Sequence, residues 1–185
     1  MNKVKQGART FLFPMPSVLV GATVDGKPNF MTVAWCGIAS HQPPTVAVAI
    51  RKGRHTLKGI EAHHCFSVNV PTSKMVKLVD FCGIYSGKDR DKANLFTVKP
   101  GDNPLVPLVD ECPVNLECTL LHTLDLGSHT LVVGQITQSH VREDCIEGKK
   151  IDPLKVDPLI YATSSETYHR LGEVVGNAFS VGKEF

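Results

Sequence analysis

From residue 17 to 24 the chain alternates, with Val18, Val20, Ala22 and Val24 on one face and Leu19, Gly21 and Thr23 on the other. A period of two is the signature of a β-strand, whose successive side chains point to opposite faces. Asp25-Gly26 follows, and both residue types tolerate the positive φ of a tight hairpin turn, so residues 29–36 read as the returning strand. Residues 45–51 alternate again, large Val46, Val48 and Ile50 against small Thr45, Ala47 and Ala49. The large face suits a core, and the small face leaves room for something to pack beside the strand.

Residues 56–63 suit a short helix with Thr56 as its N-cap, and residues 65–70 suit a strand with Phe66, Val68 and Val70 on one side. Met75, Leu78, Val79 and Cys82 fall at i, i+3, i+4 and i+7, the spacing of one helix face. Residues 83–92 are polar and turn-rich and read as a loop. The longest period-two signal sets Leu116, Cys118, Leu120, His122, Leu124 and Leu126 against Glu117, Thr119, Thr123 and Asp125, broken only by Leu121. It predicts a long strand with one wet face and with His122 as a core histidine. Residues 129–142 return antiparallel across Gly127-Ser128, residues 159–162 add a short strand, and a glycine-punctuated tail runs from Gly172. The sum is mainly β: an antiparallel sheet long enough to curl into a barrel, with two or three peripheral helices.

At 185 residues the chain reads as one domain spanning residues 1–185, a size at which roughly 70% of the unfolded surface is buried. With 42% hydrophobic and 21% charged residues it has the composition of a globular protein, and a net charge of +2 with no Lys/Arg run beyond two argues against a nucleic-acid partner. The six cysteines include no C-x-x-C pair, and a core of this size needs no disulfide framework, which points to a reducing cytoplasm. Lys3, Lys5 and Arg9 ahead of an uncharged run imitate a signal peptide, but Pro14 and Pro16 interrupt the run and Asp25-Gly26 closes it as a hairpin would. The uncharged stretch 28–50 carries Asn29, Ser40, His41, Gln42 and Pro43-Pro44, which excludes a membrane helix.

Candidate chemistry gathers in Arg51, Lys52, Arg54, His55 and Thr56, where a strand leads through Gly53 into a helix. A phosphate wants guanidinium, hydroxyl and free backbone N–H groups together, and a helix start supplies the last of these. Taken alone, that cluster reads first as a solvated basic turn with an ordinary threonine cap, and the strand before it is what favours the phosphate site. Trp35, the only tryptophan, suits the wall of a slot for a flat ring with one polar edge, such as an isoalloxazine, or an ordinary core position. Ser86-Gly87-Lys88 approaches a P-loop, yet the pattern is one residue short and Asp89 stands where Ser or Thr should bind the metal. Lys88 or Lys92 nevertheless has the reach for a ligand phosphate. No G-x-G-x-x-G follows a strand, no G-x-S-x-G elbow is present, and His63-His64-Cys65 lacks a partner pair at zinc-site spacing. No metal site is expected.

In order and spacing the chain resembles the flavin reductase-like, FMN-binding split-barrel family, and within it the flavoredoxin type. The resemblance runs through Pro16-Ser-Val-Leu-Val-Gly21, Asp25-Gly-Lys-Pro-Asn29, Met31-Thr-Val-Ala-Trp-Cys36, Pro43-Pro44 and Arg51-Lys-x-Arg-His-Thr56. It continues in Phe66-Ser-Val-Asn-Val-Pro71, Ser86-Gly-Lys88 with Lys92, and Pro158-Leu-Ile-Tyr161. It implies a Greek-key split β-barrel that dimerises with a flavin in each of two interface clefts, FMN being expected and FAD allowed. The segment carrying Asn29, Met31, Thr32, Ala34 and Trp35 would line the ring, and Ile50, Arg51, Lys52, Arg54, His55 and Thr56 would hold ribityl and phosphate. Lys92 would add charge near the phosphate, while His129 and Tyr161 would belong to the far side of the cleft. The expected function is an NAD(P)H-dependent flavin reductase-like oxidoreductase, or a flavoredoxin-type carrier that exchanges electrons with other redox proteins. The absence of a catalytic acid–base set agrees with either, because hydride arrives at the ring itself.

Overall fold

Asp25 and Gly26 take φ of 49° and 75°, the left-handed pair that lets a two-residue turn follow the twist of its strands. In the computed structural model, which describes residues 1–184, that turn joins β1 (Val18–Val24) to β2 (Lys27–Val33) in antiparallel register, Val18 facing Val33 and Val24 facing Lys27. Val18, Val20 and Ala22 enter the barrel interior with Met31 and Val33. The other face of the hairpin is covered too, for Leu19 and Phe30 pack into a second cluster around Val79 and Cys82. Burial on both faces explains why residues 18–24 carry no charge.

The remaining barrel strands are β3 (Cys36–Ser40), β4 (Thr45–Arg51), β5 (Cys65–Val70), β6 (Val114–Asp125) and β7 (His129–Val141). They form one antiparallel sheet in the order β2-β1-β5-β6-β7-β4-β3. This is a Greek-key split barrel. The expected strand 29–36 therefore does not run through: it breaks at Ala34-Trp35, and Cys36 begins the opposite edge. The chain leaves the β2 edge there to pair with β4: the Ala49 N–H donates to the Trp35 carbonyl at 2.8 Å, one rung beyond Cys36 opposite Val48.

The break in the β6 alternation marks a bulge. Val133 faces His122 and Gly134 faces Leu120, so Leu121 has no partner. The expected wet face fails at Glu117, only 2% exposed, whose carboxylate accepts from the Asp102 and Asn103 amides at 2.8 and 3.2 Å and meets His140 Nε2 at 2.6 Å. His122 is not a core histidine. It is exposed beside Leu124 and Leu126, because no described residue covers the outer end of the β6–β7 hairpin.

Helix α1 (His55–His63) starts one residue earlier than expected, and Thr56 is not its cap. Arg54 takes that position in extended backbone, with no side-chain bond to the free amides. Gly59 lets α1 lie directly on β1, where an added Cβ would sit 2.3 Å from the Thr23 carbonyl oxygen. Helix α2 (Val76–Ile84) follows a 3₁₀ turn at Ser73–Met75, buries Val79 and Cys82 as spaced, and extends into the expected loop through Ile84. Ile160–Ala162 stands apart from the barrel, between Met15–Pro16 and Thr167–His169 in a small sheet. Among the described residues, no helix is long and apolar enough to cross a membrane.

Candidate functional site

As an edge strand, β2 leaves alternate backbone N–H and C=O groups without a strand partner. Against this edge lies a cleft of about 180 Å³, lined by residues 31–35 with Ala49, Arg51, Arg54 and His129. Ala49 comes from the small face of β4, so the room foreseen beside that strand is present. Trp35 is 38% exposed and its ring stacks on His129, centroids 4.7 Å apart and planes 30° apart. An apolar slot of about 560 Å³ continues past Trp35, between residues 34–38 and the segment from Thr10 to Pro16. Burial in its wall pushes the Cys36 thiol up to about 11.

A second cleft, of about 470 Å³, opens where α1 begins. Its wall joins Lys27 and Asn29 of β2, His55 of α1, and the loop from Gly87 to Lys92. Asn29 is buried and donates from Nδ2 to Thr56 Oγ1 at 2.7 Å, tying the strand to the helix start. Lys92 is 3% exposed and donates to the Cys82 and Tyr85 carbonyls at 3.2 and 3.1 Å. Burial, with Arg54 nearby, holds its ammonium below the usual lysine range. His55 Nδ1 is buried with no hydrogen-bond partner, and burial followed by Lys58 lowers this imidazole. An unsatisfied buried nitrogen and an uncapped helix start beside Lys27, Lys88, Arg90 and Lys92 offer donors to an anion, with Asp25, Asp89 and Asp91 in the same wall.

A flat slot edged by free strand amides and adjoining a basic helix start fits a ring that carries a phosphate tail. Residues 9–171 match the family described as "Flavin reductase like domain". The chain belongs to the flavin reductase-like family. The crystal structure of a flavoredoxin from Methanosarcina acetivorans superposes on it with a TM-score of 0.96 at 36% identity, covering 100% of this chain and 99% of that one. The flavoredoxin of Desulfovibrio vulgaris (Miyazaki F) gives a TM-score of 0.92 at 39% identity, over 98% of this chain and 100% of the other. By sequence, a protein called "Flavin reductase (NADH)" from Kitasatospora aureofaciens is 26% identical over 149 residues, 73% of each chain.

Within this flavin reductase-like chain the expected site residues divide. Met31, Ala34, Trp35, Arg51, Arg54 and His129 meet in the ring-sized cleft, and Asn29, His55 and Lys92 in the basic one, with Thr56 behind Asn29. Three expected side chains point elsewhere. Ile50 is wholly buried in the barrel core, the Thr32 hydroxyl donates to the Val79 carbonyl of α2, and Lys52 pairs with Asp125 at 2.7 Å. Tyr161 lies in a separate cleft with Tyr168 and Asp80. Lys27 was missed because a lysine beside a hairpin turn carries no signal of its own, whereas Lys88 stood in a recognisable loop. Asp102, Glu117 and His140 hold ligand-type atoms within 4.8 Å of one another, but the Glu117 carboxylate already serves two amides and an imidazole.

Proposed function

We propose that this flavin reductase-like protein holds FMN, with the ring along the free edge of β2 beside Trp35 and the phosphate between the start of α1 and residues 86–92. The partnerless Nδ1 of His55, in a wall that also bears Lys88 and Lys92, carries this assignment. A phosphate dianion brings the acceptor that the partnerless Nδ1 lacks. FMN, when bound, supplies two-electron chemistry at its ring. Ala49 leaves the space, alternate β2 amides face the ring's polar edge, and Arg51 and Arg54 place positive charge where reduction adds negative charge. FAD would need additional room beyond the phosphate cleft.

The electron donor we propose is a reduced nicotinamide dinucleotide, a reading supported by the likeness to a flavin reductase named for NADH. The second reading is a flavoredoxin-type carrier fed by a protein, favoured by the match to two flavoredoxins along almost the whole chain. Two copies are proposed to pack through the exposed apolar hairpin end, Leu124 and Leu126, together with Ile38 and Trp35. Six free cysteines suit a reducing cytoplasm, and residues 1–185 are taken as one domain. Anaerobic mixing of FMN-loaded protein with NADH or NADPH tests the donor. Bleaching of bound flavin faster than of free FMN supports the reductase, and no bleaching with either nucleotide leaves the carrier.

A further inference from the structure

A third cavity, of about 400 Å³, lies between α2 and the small sheet and shares Thr32 and Ala34 with the ring cleft. Its walls come from separate segments: Ser17 ahead of β1, Asp80 of α2, and Tyr161, Glu166 and Tyr168 of the small sheet and its turn. Ser17 is 1% exposed, and its Oγ has no hydrogen-bond partner. Tyr168 donates from its hydroxyl to Asp80 Oδ1 at 2.9 Å, which fixes that carboxylate and leaves Oδ2 for a ligand. Burial, then the bond to Asp80, holds the Tyr168 phenol above its usual range, so the hydroxyl stays the donor. No lysine, arginine or histidine lines the cavity, and among the described residues neither Asp80 nor Glu166 has a cation at salt-bridge distance. Tyr161 and Tyr168 face each other in register, with ring centroids 5.7 Å apart.

A half-buried carboxylate without a counter-ion, a second carboxylate in the same wall and a buried hydroxyl without a partner together call for a donor that carries positive charge. An ammonium brings three N–H donors, one each for Asp80, Glu166 and Ser17, and its charge is attracted to the faces of tyrosine rings. An anion would meet Asp80 and Glu166 and be repelled. A hard metal ion would ask for about six oxygens and has no use for two tyrosine rings. We propose that this cavity is a second ligand site, which takes a small primary amine as its ammonium, with an apolar or aromatic body against Tyr161 and Tyr168. Its volume of about 400 Å³ is that of a small-molecule site. The site stands on its own walls and does not rest on the flavin assignment.

Titration calorimetry of the protein at neutral pH with benzylammonium chloride and with benzyl alcohol, probes of one shape that differ in charge, tests it. One benzylammonium is expected to bind per chain, at least about tenfold more tightly than the alcohol, as charge-assisted hydrogen bonds require. Asp80→Asn keeps an acceptor for Tyr168 and should erase that preference. Ser17→Ala removes only the hydroxyl and should weaken benzylammonium about fivefold. Glu166→Gln removes the second charge at an exposed turn position, where the fold is not at stake, and should narrow the preference as well. Equal affinity for the two probes, no binding of benzylammonium, or a preference that survives both carboxylate substitutions would overturn the proposal.

Discussion

Gly87 is the residue on which the phosphate cleft closes. An added Cβ would stand 2.0 Å from Asn29 Oδ1 and 2.9 Å from His55 Cδ2, so any side chain must displace the Asn29 and His55 side chains or shift the loop. Overpacking of this kind costs about 1–3 kcal/mol, and the loop is the part free to give. Gly87→Ala is therefore expected to weaken FMN about tenfold or more with little loss of fold stability, read by flavin titration beside a denaturant curve; unchanged affinity would remove the loop from the site. Residues of this kind were legible where a motif held them, as Ser86-Gly87-Lys88 and Arg54-His55-Thr56 did. Lys27 was not, because a lysine beside a hairpin turn is commonplace and acquires meaning only from the His55 and Lys88 it meets across the cleft. Thr32 and Lys52 show the converse. Their types suited a cofactor, but a helix carbonyl and a hairpin carboxylate claimed them.

Elements were legible wherever a local period decided them. The β1–β2 hairpin, β4, β5 and the buried face of α2 follow from alternation or helical spacing, because each buries that face on the nearest core. The break at Ala34-Trp35 was illegible, since its cause is closure against a strand more than ten residues on, and a run of apolar residues does not encode it. Leu121 was seen as an interruption without its meaning as a bulge. Asp157 fastens elements that sequence leaves unrelated: its carboxylate accepts from Ser73 Oγ at 2.5 Å and Arg170 Nε at 2.8 Å, joining the turn before α2 to the end of the short helix Pro153–Val156. Burial alone would raise its pKa, but the bonds from Ser73 and Arg170 outweigh that and hold the carboxyl below its ordinary 3.8. A depressed pKa stabilises the fold above pH 3.8 and loses that contribution as pH falls through the folded-state value. Asn tolerates the left-handed backbone at this position (φ 49°), so Asp157→Asn should cost about 1 kcal/mol at pH 7. That deficit should shrink in acid. Urea curves at both pH values check it, and a deficit independent of pH would contradict the ion-pair account.

For the whole molecule, the telling surface is the far end of the β6–β7 hairpin. Its alternation predicts a covered apolar face, yet Leu124 and Leu126 are 56% and 53% exposed, and this is the face that the proposed pairing of two copies would cover. Leu124→Glu is expected to turn a dimer into a monomer in sedimentation and to weaken FMN, whose ring cleft opens beside this surface. A wild-type monomer would contradict the pairing. The architecture itself was legible, because an antiparallel barrel is written in successive two-residue periods, whereas the exposure of Leu124 and Leu126 was not, since their alternation is that of a covered strand. The central claim is that the ring cleft and the basic cleft hold one molecule between them, and paired equilibrium titrations with FMN and with riboflavin, which differ only in the phosphate, test it most directly. The account predicts one FMN per chain, bound at least about a hundredfold more tightly than riboflavin, as charge-assisted bonds worth about 1.5–3 kcal/mol each require. Equal affinity for the two flavins, or binding of neither, would contradict it.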